Sequence, residues 1–415
     1  MLAHCGDLTI FAGVFCESHL MKILLNFFRL FTGALFIFSG SVKLIDPVGT
    51  QIKMEEYFEV FAQAFHPFFE HLVEYALPIA VVMCVAEVVM GVALLLYYQM
   101  KINMWLFLLL MVFFTFLTGY TAMALFAKEN PDASFAMRFA SFAGVASPAE
   151  INAVSDCGCF GDFIKLRPWE SFLKDLILMV PTLFLFWKRK SLLSGFPERF
   201  NQGAMVFSLL FCSWVAWDAI AHLPRFDFRP YKVGADIRAA MQPSEPLRYV
   251  YTMERNGQTQ DFTEYPTDTT WKFKSMDIAN PEAKPKVTDY SVWNDEGDIT
   301  QETFTGNKLM VIIRKAEKVE PGSLERTVQL TKEISQHKEL PLQALILTGS
   351  TSQAIDQLRH DNQLALPYYY ADGTVLKTIL RSNAGIWLLK DGVVKGKWHI
   401  RDTPDWKEVS EALAK

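Results

Sequence analysis

Asp156-Cys157-Gly158-Cys159-Phe160-Gly161-Asp162 sets two cysteines one residue apart in a turn-rich segment between two strongly apolar runs. Gly158 removes the side-chain barrier to the tight backbone that a Cys-x-Cys bridge requires. Such a bridge closes a very small ring, so its geometry is strained and its reduction potential raised. Strained, exposed bridges are the exchangeable ones, and the spacing therefore points to redox chemistry at Cys157 and Cys159. Two inert thiols, or half of a metal site, are the competing readings. A metal site wants further Cys or His at ligand spacing. The nearest histidines are His66, His71 and His222, so no metal is assigned.

The flanking runs set the fold class. The chain has 415 residues, 51% hydrophobic and 14% aromatic. That is too apolar for an ordinary soluble domain, while the second half is too polar to be all membrane. A net charge of −5 gives no case for nucleic-acid binding. The six cysteines (Cys5, Cys16, Cys84, Cys157, Cys159 and Cys212) are scattered through apolar runs and the N-terminal region, unlike a disulfide framework. Upstream of the turn, residues 24–44, 77–98 and 102–125 are each long and apolar enough to cross a bilayer. Downstream, 172–187 and 204–222 follow; the first is short and holds Lys174, Asp175 and Pro181, and is kept because orientation requires it. The expectation is a mainly α membrane bundle of four helices plus a fifth transmembrane helix. Residues 1–21 read as an extension ahead of a natural start at Met21-Lys22. Residues 48–72, acidic and aromatic, predict a helix lying at the membrane surface.

Three polar residues stand out in the apolar region. Lys43 and Asp46, at the end of the first span, are spaced to pair on one helix face. Glu87 lies near the middle of the second span, where a carboxylate faces the bundle interior, paired or protonated. The short basic connectors are Lys22 with Arg29, Lys101, and 188–190. The positive-inside rule puts all three on the cytoplasmic face, and five crossings place them there by parity. The thiol turn and everything after residue 222 then face the oxidising side, where a disulfide persists.

Beyond residue 224 the character changes. Residues 225–287 predict a β-rich linker, with Asn256-Gly257 turning a hairpin between 249–252 and 260–263. Residues 288–415 alternate in α/β fashion. Strands are expected at 309–313, 345–347 and 386–389, with a hairpin return at 393–398. Helices are expected at 323–337, 352–360 and 404–413.

Residues 22–190 resemble the DoxX superfamily of four-helix membrane proteins, and within it the MauE-like branch. The matching residues are Ser39-Gly40-x-x-Lys43-Leu44-x-Asp46-Pro47, Glu87-x-x-x-Gly91 and Cys157-Gly158-Cys159-Phe160-Gly161. Residues 191–224 add a connector and the fifth transmembrane helix. Residues 288–415 resemble a thioredoxin-like domain, but the window 315–322 holds no cysteine and Ala384 stands where that family has a cis-proline. Such a domain cannot do dithiol chemistry itself and reads as a binding or shielding module.

The resemblance implies a multi-pass protein of the bacterial inner membrane, N-terminus cytoplasmic and C-terminal domain periplasmic, working in redox or disulfide maturation. Cys157 and Cys159 would exchange with a partner or substrate dithiol, with Gly158, Asp162, Lys43, Asp46 and Glu87 in support. No covalent cofactor is implied; a quinone is the acceptor suggested by analogy with other membrane disulfide-forming proteins. The alternative is a non-catalytic scaffold or assembly factor whose outer domain binds a partner. A small-molecule transporter working through Glu87 and Lys43 is a third reading.

Overall fold

The computed structural model describes residues 6–154, 157–190, 192, 196–337 and 339–415, with side chains from Leu20 onward. It divides into two compact units, one reaching to Ile220 and taking in Pro224–Phe226, the other made of Ala221–Leu223 and Asp227–Lys415.

The first unit is helical: α1 (Gly6–Ile45), α2 (Pro47–Ala64), α3 (Phe68–Leu72), α4 (Ala76–Leu95), α5 (Met100–Glu129), α6 (Ser134–Phe142), α7 (Pro168–Lys188) and α8 (Glu198–Ala221). Among the described residues, four stretches are long and apolar enough to cross a membrane: Leu20–Ile45, Phe68–Leu95, Met100–Glu129 and Glu198–Ala221. Five were expected. The missing one, 172–187, is helical within α7, and its 21 residues extend about 31 Å at 1.5 Å each. Its first half carries Glu170, Lys174 and Asp175, and this composition sets it apart from the other four. Helix α1 continues back to Gly6 through most of the expected extension; residues 1–5 lie outside the described residues.

Glycines bring α1 and α4 together. A Cβ on Gly91 would stand 2.9 Å from the Gly33 carbonyl oxygen, and one on Gly40 would stand 2.9 Å from the Glu87 Cβ. Small residues at such a seam let two backbones approach closely, which dispersion between helices requires in lipid. At the end of α1 the chain turns sharply. Asp46 caps α2, accepting a hydrogen bond from the Gly49 backbone N–H at 2.9 Å, and Pro47 occupies the first helical position. Helix α2, expected at the membrane surface, turns its aromatic residues toward its neighbours. Met54, Tyr57, Phe58 and Phe61 recur at helical spacing and are buried with Ala76, Ala80, Leu117 and Tyr120. The aromatic stripe packs into the bundle.

The second unit starts with the short α9 (Ile237–Ala240) and a small antiparallel sheet of order β2-β1-β3: β1 (Tyr249–Arg255), β2 (Gln258–Phe262) and β3 (Lys272–Ile278). Asn256 and Gly257 both take positive φ, as a two-residue hairpin turn demands. The main sheet comprises β4 (Val292–Asn294), β5 (Gly297–Asp298), β6 (Asn307–Ile313), β7 (Leu342–Thr348), β8 (Tyr368–Ala371), β9 (Ala384–Lys390) and β10 (Val393–His399). Its order is β10-β9-β6-β7-β8-β4-β5, with β6, β7 and β8 parallel and β9 antiparallel to β6. Helices α10 (Glu325–Gln336), α11 (Ser352–Asp361), α12 (Gly373–Ile379) and α13 (Trp406–Ala414) complete it. Alternate residues of β6 enter opposite cores: Met310 and Ile312 join Trp387 and Leu347, whereas Leu309, Val311 and Ile313 join Ile346 and Leu388. A sheet covered on both faces explains why β6 is apolar almost throughout.

Candidate functional site

Tight turns shape the thiol segment. Gly158 has φ +60° and Gly161 φ +53°, both in the left-handed region that favours glycine. The Gly161 N–H donates to the Gly158 carbonyl at 3.1 Å, and Phe160 bridges to Ile164 across the turn. A Cβ on Gly158 would also meet Lys53 Cγ at 3.0 Å. Cys157 and Cys159 are both half-buried thiols in this structure. Asp162 lies half-buried in the same turn, and Asp156 falls outside the described residues.

Beneath the turn lies an ion pair. Lys43 Nζ and Glu87 Oε1 are 2.5 Å apart, with the residues only 5% and 1% exposed. The Lys43 ammonium also lies 4.7 Å from the centre of the Phe114 ring. This corrects the expected Lys43–Asp46 pairing. Asp46 caps α2, while the glycine seam brings Glu87 of α4 directly to Lys43 of α1. Ser39 ties the pair to the thiols: its Oγ lies 3.0 Å from Glu87 Oε2 and 3.1 Å from the Cys159 carbonyl oxygen.

A second ion pair comes from α7. Lys174 Nζ lies 2.6 Å from Asp175 Oδ1, and the Thr118 hydroxyl of α5 donates to Asp175 Oδ2 at 2.9 Å. Lys174 also stands 5.3 Å from the centre of the Phe160 ring, within the turn itself. On the other side, Cys157 faces the hydroxyls of Tyr57, Thr121 and Ser171, and Tyr57 and Thr121 are themselves 2.9 Å apart.

The two thiols therefore titrate in different surroundings. Burial pushes Cys157 up to about 11, with Cys159 adding to the rise and the three hydroxyls opposing it. Burial also raises Cys159, with the Lys174 ammonium pulling the other way, Asp175 adding to the rise and Lys43 again opposing it. Both are protonated at neutral pH, and only the thiolate is a nucleophile.

Of the residues singled out in the sequence, Cys157, Gly158, Cys159, Lys43 and Glu87 come together here, and Asp46 caps α2. Thr118, Ser171, Lys174, Asp175, Tyr57 and Thr121 were not anticipated as site residues. Lys174-Asp175 was the available signal, two adjacent charges in an otherwise apolar helix, and it had weighed only against the span. Among the described residues, no group of three or more His, Cys, Asp or Glu is placed to hold a metal.

Residues 21–132 match the family model of the methylamine utilisation protein MauE. The MauE match includes Ser39, Lys43, Tyr57, Glu87, Thr118 and Thr121, and it ends before the thiol turn and α7. Neither the curated proteins nor the solved structures yielded a significant match to the chain.

In the second unit, the loop after β6 is closed by a side chain. Asn383 accepts from the Lys315 N–H at 3.1 Å and donates to the Lys315 carbonyl at 2.9 Å, while the Ala316 N–H donates to Ser350 Oγ at 2.8 Å.

Proposed function

We propose that this chain is a MauE-like membrane protein of extracytoplasmic thiol–disulfide chemistry, with Cys157 and Cys159 as its exchanging pair. One observation carries the reading. Ser39 joins the thiol turn to a buried Lys43–Glu87 pair, so the turn rests on charges that are expensive to keep inside a membrane protein. In the forward direction a substrate dithiol loses two electrons and two protons and becomes a disulfide. The Cys157–Cys159 bridge gains both and becomes two thiols.

A quinone, if bound, would supply an acceptor for those two electrons and two protons. The exposed rings of Phe38 and Phe163, 6.0 Å apart edge to face and backed by the buried Phe160, would hold its flat apolar ring next to the turn. Helix α7 serves as a fifth crossing, its Asp175 charge met by Lys174 and Thr118 rather than by lipid. With Lys22, Arg29, Lys101 and 188–190 on the cytoplasmic side, the turn and the second unit face the periplasm of an inner-membrane protein.

The second unit is read as thioredoxin-like. Support comes from a β6-α10-β7 unit followed by β9-β10-α13, with the strands ordered β10-β9-β6-β7 and β9 reversed. Asn383 closes the loop where a dithiol would stand, which suits a partner-binding module. A scaffold reading is favoured by burial, which raises both thiols and so opposes the thiolate that exchange needs.

Thiol trapping in intact cells separates the two. The pair should be mostly oxidised during respiration and should become reduced when respiration is blocked. Cysteines that stay in one state under both conditions overturn the exchange reading.

A further inference from the structure

We infer that the two cysteines are not equivalent: Cys157 is the sulfur attacked by the partner thiol, and Cys159 is the thiolate that leaves, stabilised between the ammonium groups of Lys43 and Lys174. The assignment deepens the exchange reading and rests on it.

Two features of the site distinguish the sulfurs, which are both half-buried. Cys157 meets the hydroxyls of Tyr57 and Thr121, which solvate a sulfur without supplying charge, and it shares the Ser171 hydroxyl with Cys159. Cys159 lies between two ion pairs carried by different helices, Lys43–Glu87 from α1 and α4, and Lys174–Asp175 from α7. The turn is tied to both. Ser39 bonds the Cys159 carbonyl and Glu87, while Lys174 lies over the ring of Phe160, the next residue. A carboxylate holds each lysine in place, and both ammonium groups bear on Cys159, Lys174 more strongly than Asp175 opposes it.

The consequence for bond breaking follows from thiol–disulfide exchange. A disulfide is cleaved faster when the departing sulfur is the better-stabilised thiolate. A partner thiolate attacks Cys157 Sγ, a partner–Cys157 disulfide forms, and the Cys157–Cys159 bond breaks. Its electron pair leaves on Cys159, where the two cations meet the charge as it develops. The second partner thiol, as thiolate, then attacks the partner sulfur of the mixed disulfide. The partner disulfide departs, Cys157 leaves as thiolate, and the two protons given up by the partner end on the two cysteines. Lys43 and Lys174 act on the reaction through Cys159 and are positioning residues.

Reduced glutathione serves as the test thiol on the oxidised full-length protein in detergent, with acid quenching and fragment mass spectrometry to locate the adduct. Glutathione should be found on Cys157 at least tenfold over Cys159. Lys174→Met should slow the first step about tenfold and move the pH profile of Cys159 alkylation upward, and Lys174→Arg should restore both. Equal labelling, labelling mainly on Cys159, or a Lys174→Met profile that matches the parent overturns the assignment while leaving exchange intact. The adduct position is read on the parent protein and so survives any folding defect in the variants. A bridge that glutathione does not open at all overturns the exchange reading, and the assignment with it.

Discussion

Removing either half of the Lys43–Glu87 pair would strand a charge inside the bundle. Breaking a buried pair from one side costs about 3–5 kcal/mol, whereas replacing both partners with apolar groups of similar size costs far less. Lys43→Met and Glu87→Leu should each lower the unfolding temperature in detergent, and the double variant should be more stable than either single one. Glu87→Gln, which keeps an acceptor for Ser39 and Lys43, should fall between them and the parent. A double variant as unstable as the worse single one would mean the pair does not carry the α1–α4 contact. The glycine seam makes a second test. Gly91→Ala sets a methyl 2.9 Å from the Gly33 carbonyl, an overpacking worth about 1–3 kcal/mol, read as a lower unfolding temperature. At this scale Glu87 was legible because of its depth in an apolar run. The partner of Lys43 was not, because Asp46, three residues away, competed in the sequence with a carboxylate 44 residues distant.

Among elements, β10 carries an unusual lysine. The Lys397 side chain is buried, 2.7 Å from Asp227 Oδ2, and Asp227 also accepts from Arg229 at 2.7 Å. Burial, with Arg229 nearby, brings Lys397 down to about 7, against an unfolded value of 10.5. Arg229 and Lys397 overcome the burial of Asp227 and hold it at about 2. The folded unit thus binds fewer protons than the unfolded chain between pH 7 and 10.5, so Lys397 makes stability rise with pH across that window and level off below it. Asp227 adds stability that is complete above about pH 4 and is lost as pH falls toward 2. Chemical denaturation of residues 221–415 at several pH values should show the upper slope, and Lys397→Met should flatten it. An unchanged slope in Lys397→Met would remove the lysine from the account. The strands of this unit were readable because β6, β7 and β9 are unbroken apolar runs between turn signals. Among the elements missed were β8, with its Tyr368-Tyr369-Tyr370 run and no alternation, and α12, only seven residues long. The stripe on α2 shows the opposite failure, since its spacing was visible but not the neighbour it packs against.

For the whole molecule, the division near residue 220 makes a direct prediction. Residues 221–415 contain two cores on a doubly covered sheet and should fold alone in water, as a monomer with a cooperative melt. Aggregation on removal from the bundle would count against that independence. The number of crossings is settled separately. Reporter fusions after Trp187 and after Tyr231 should report opposite faces; the same face for both would take α7 out of the membrane and unseat the orientation derived from the basic connectors.

The bond from Ser39 to the Cys159 carbonyl spans 120 residues of chain, and this separation orders events during synthesis. Helix α1 leaves the ribosome long before the thiol turn exists, and it must wait with Lys43 already committed to Glu87. When the turn arrives it meets a prepared seat, but α7 with Lys174 and Asp175 has not yet docked. The thiols therefore pass through a stage in which one of their two flanking cations is absent. Their surroundings are complete only when α7 docks, so a chain stalled before that point carries cysteines without the Lys174–Asp175 pair beside them.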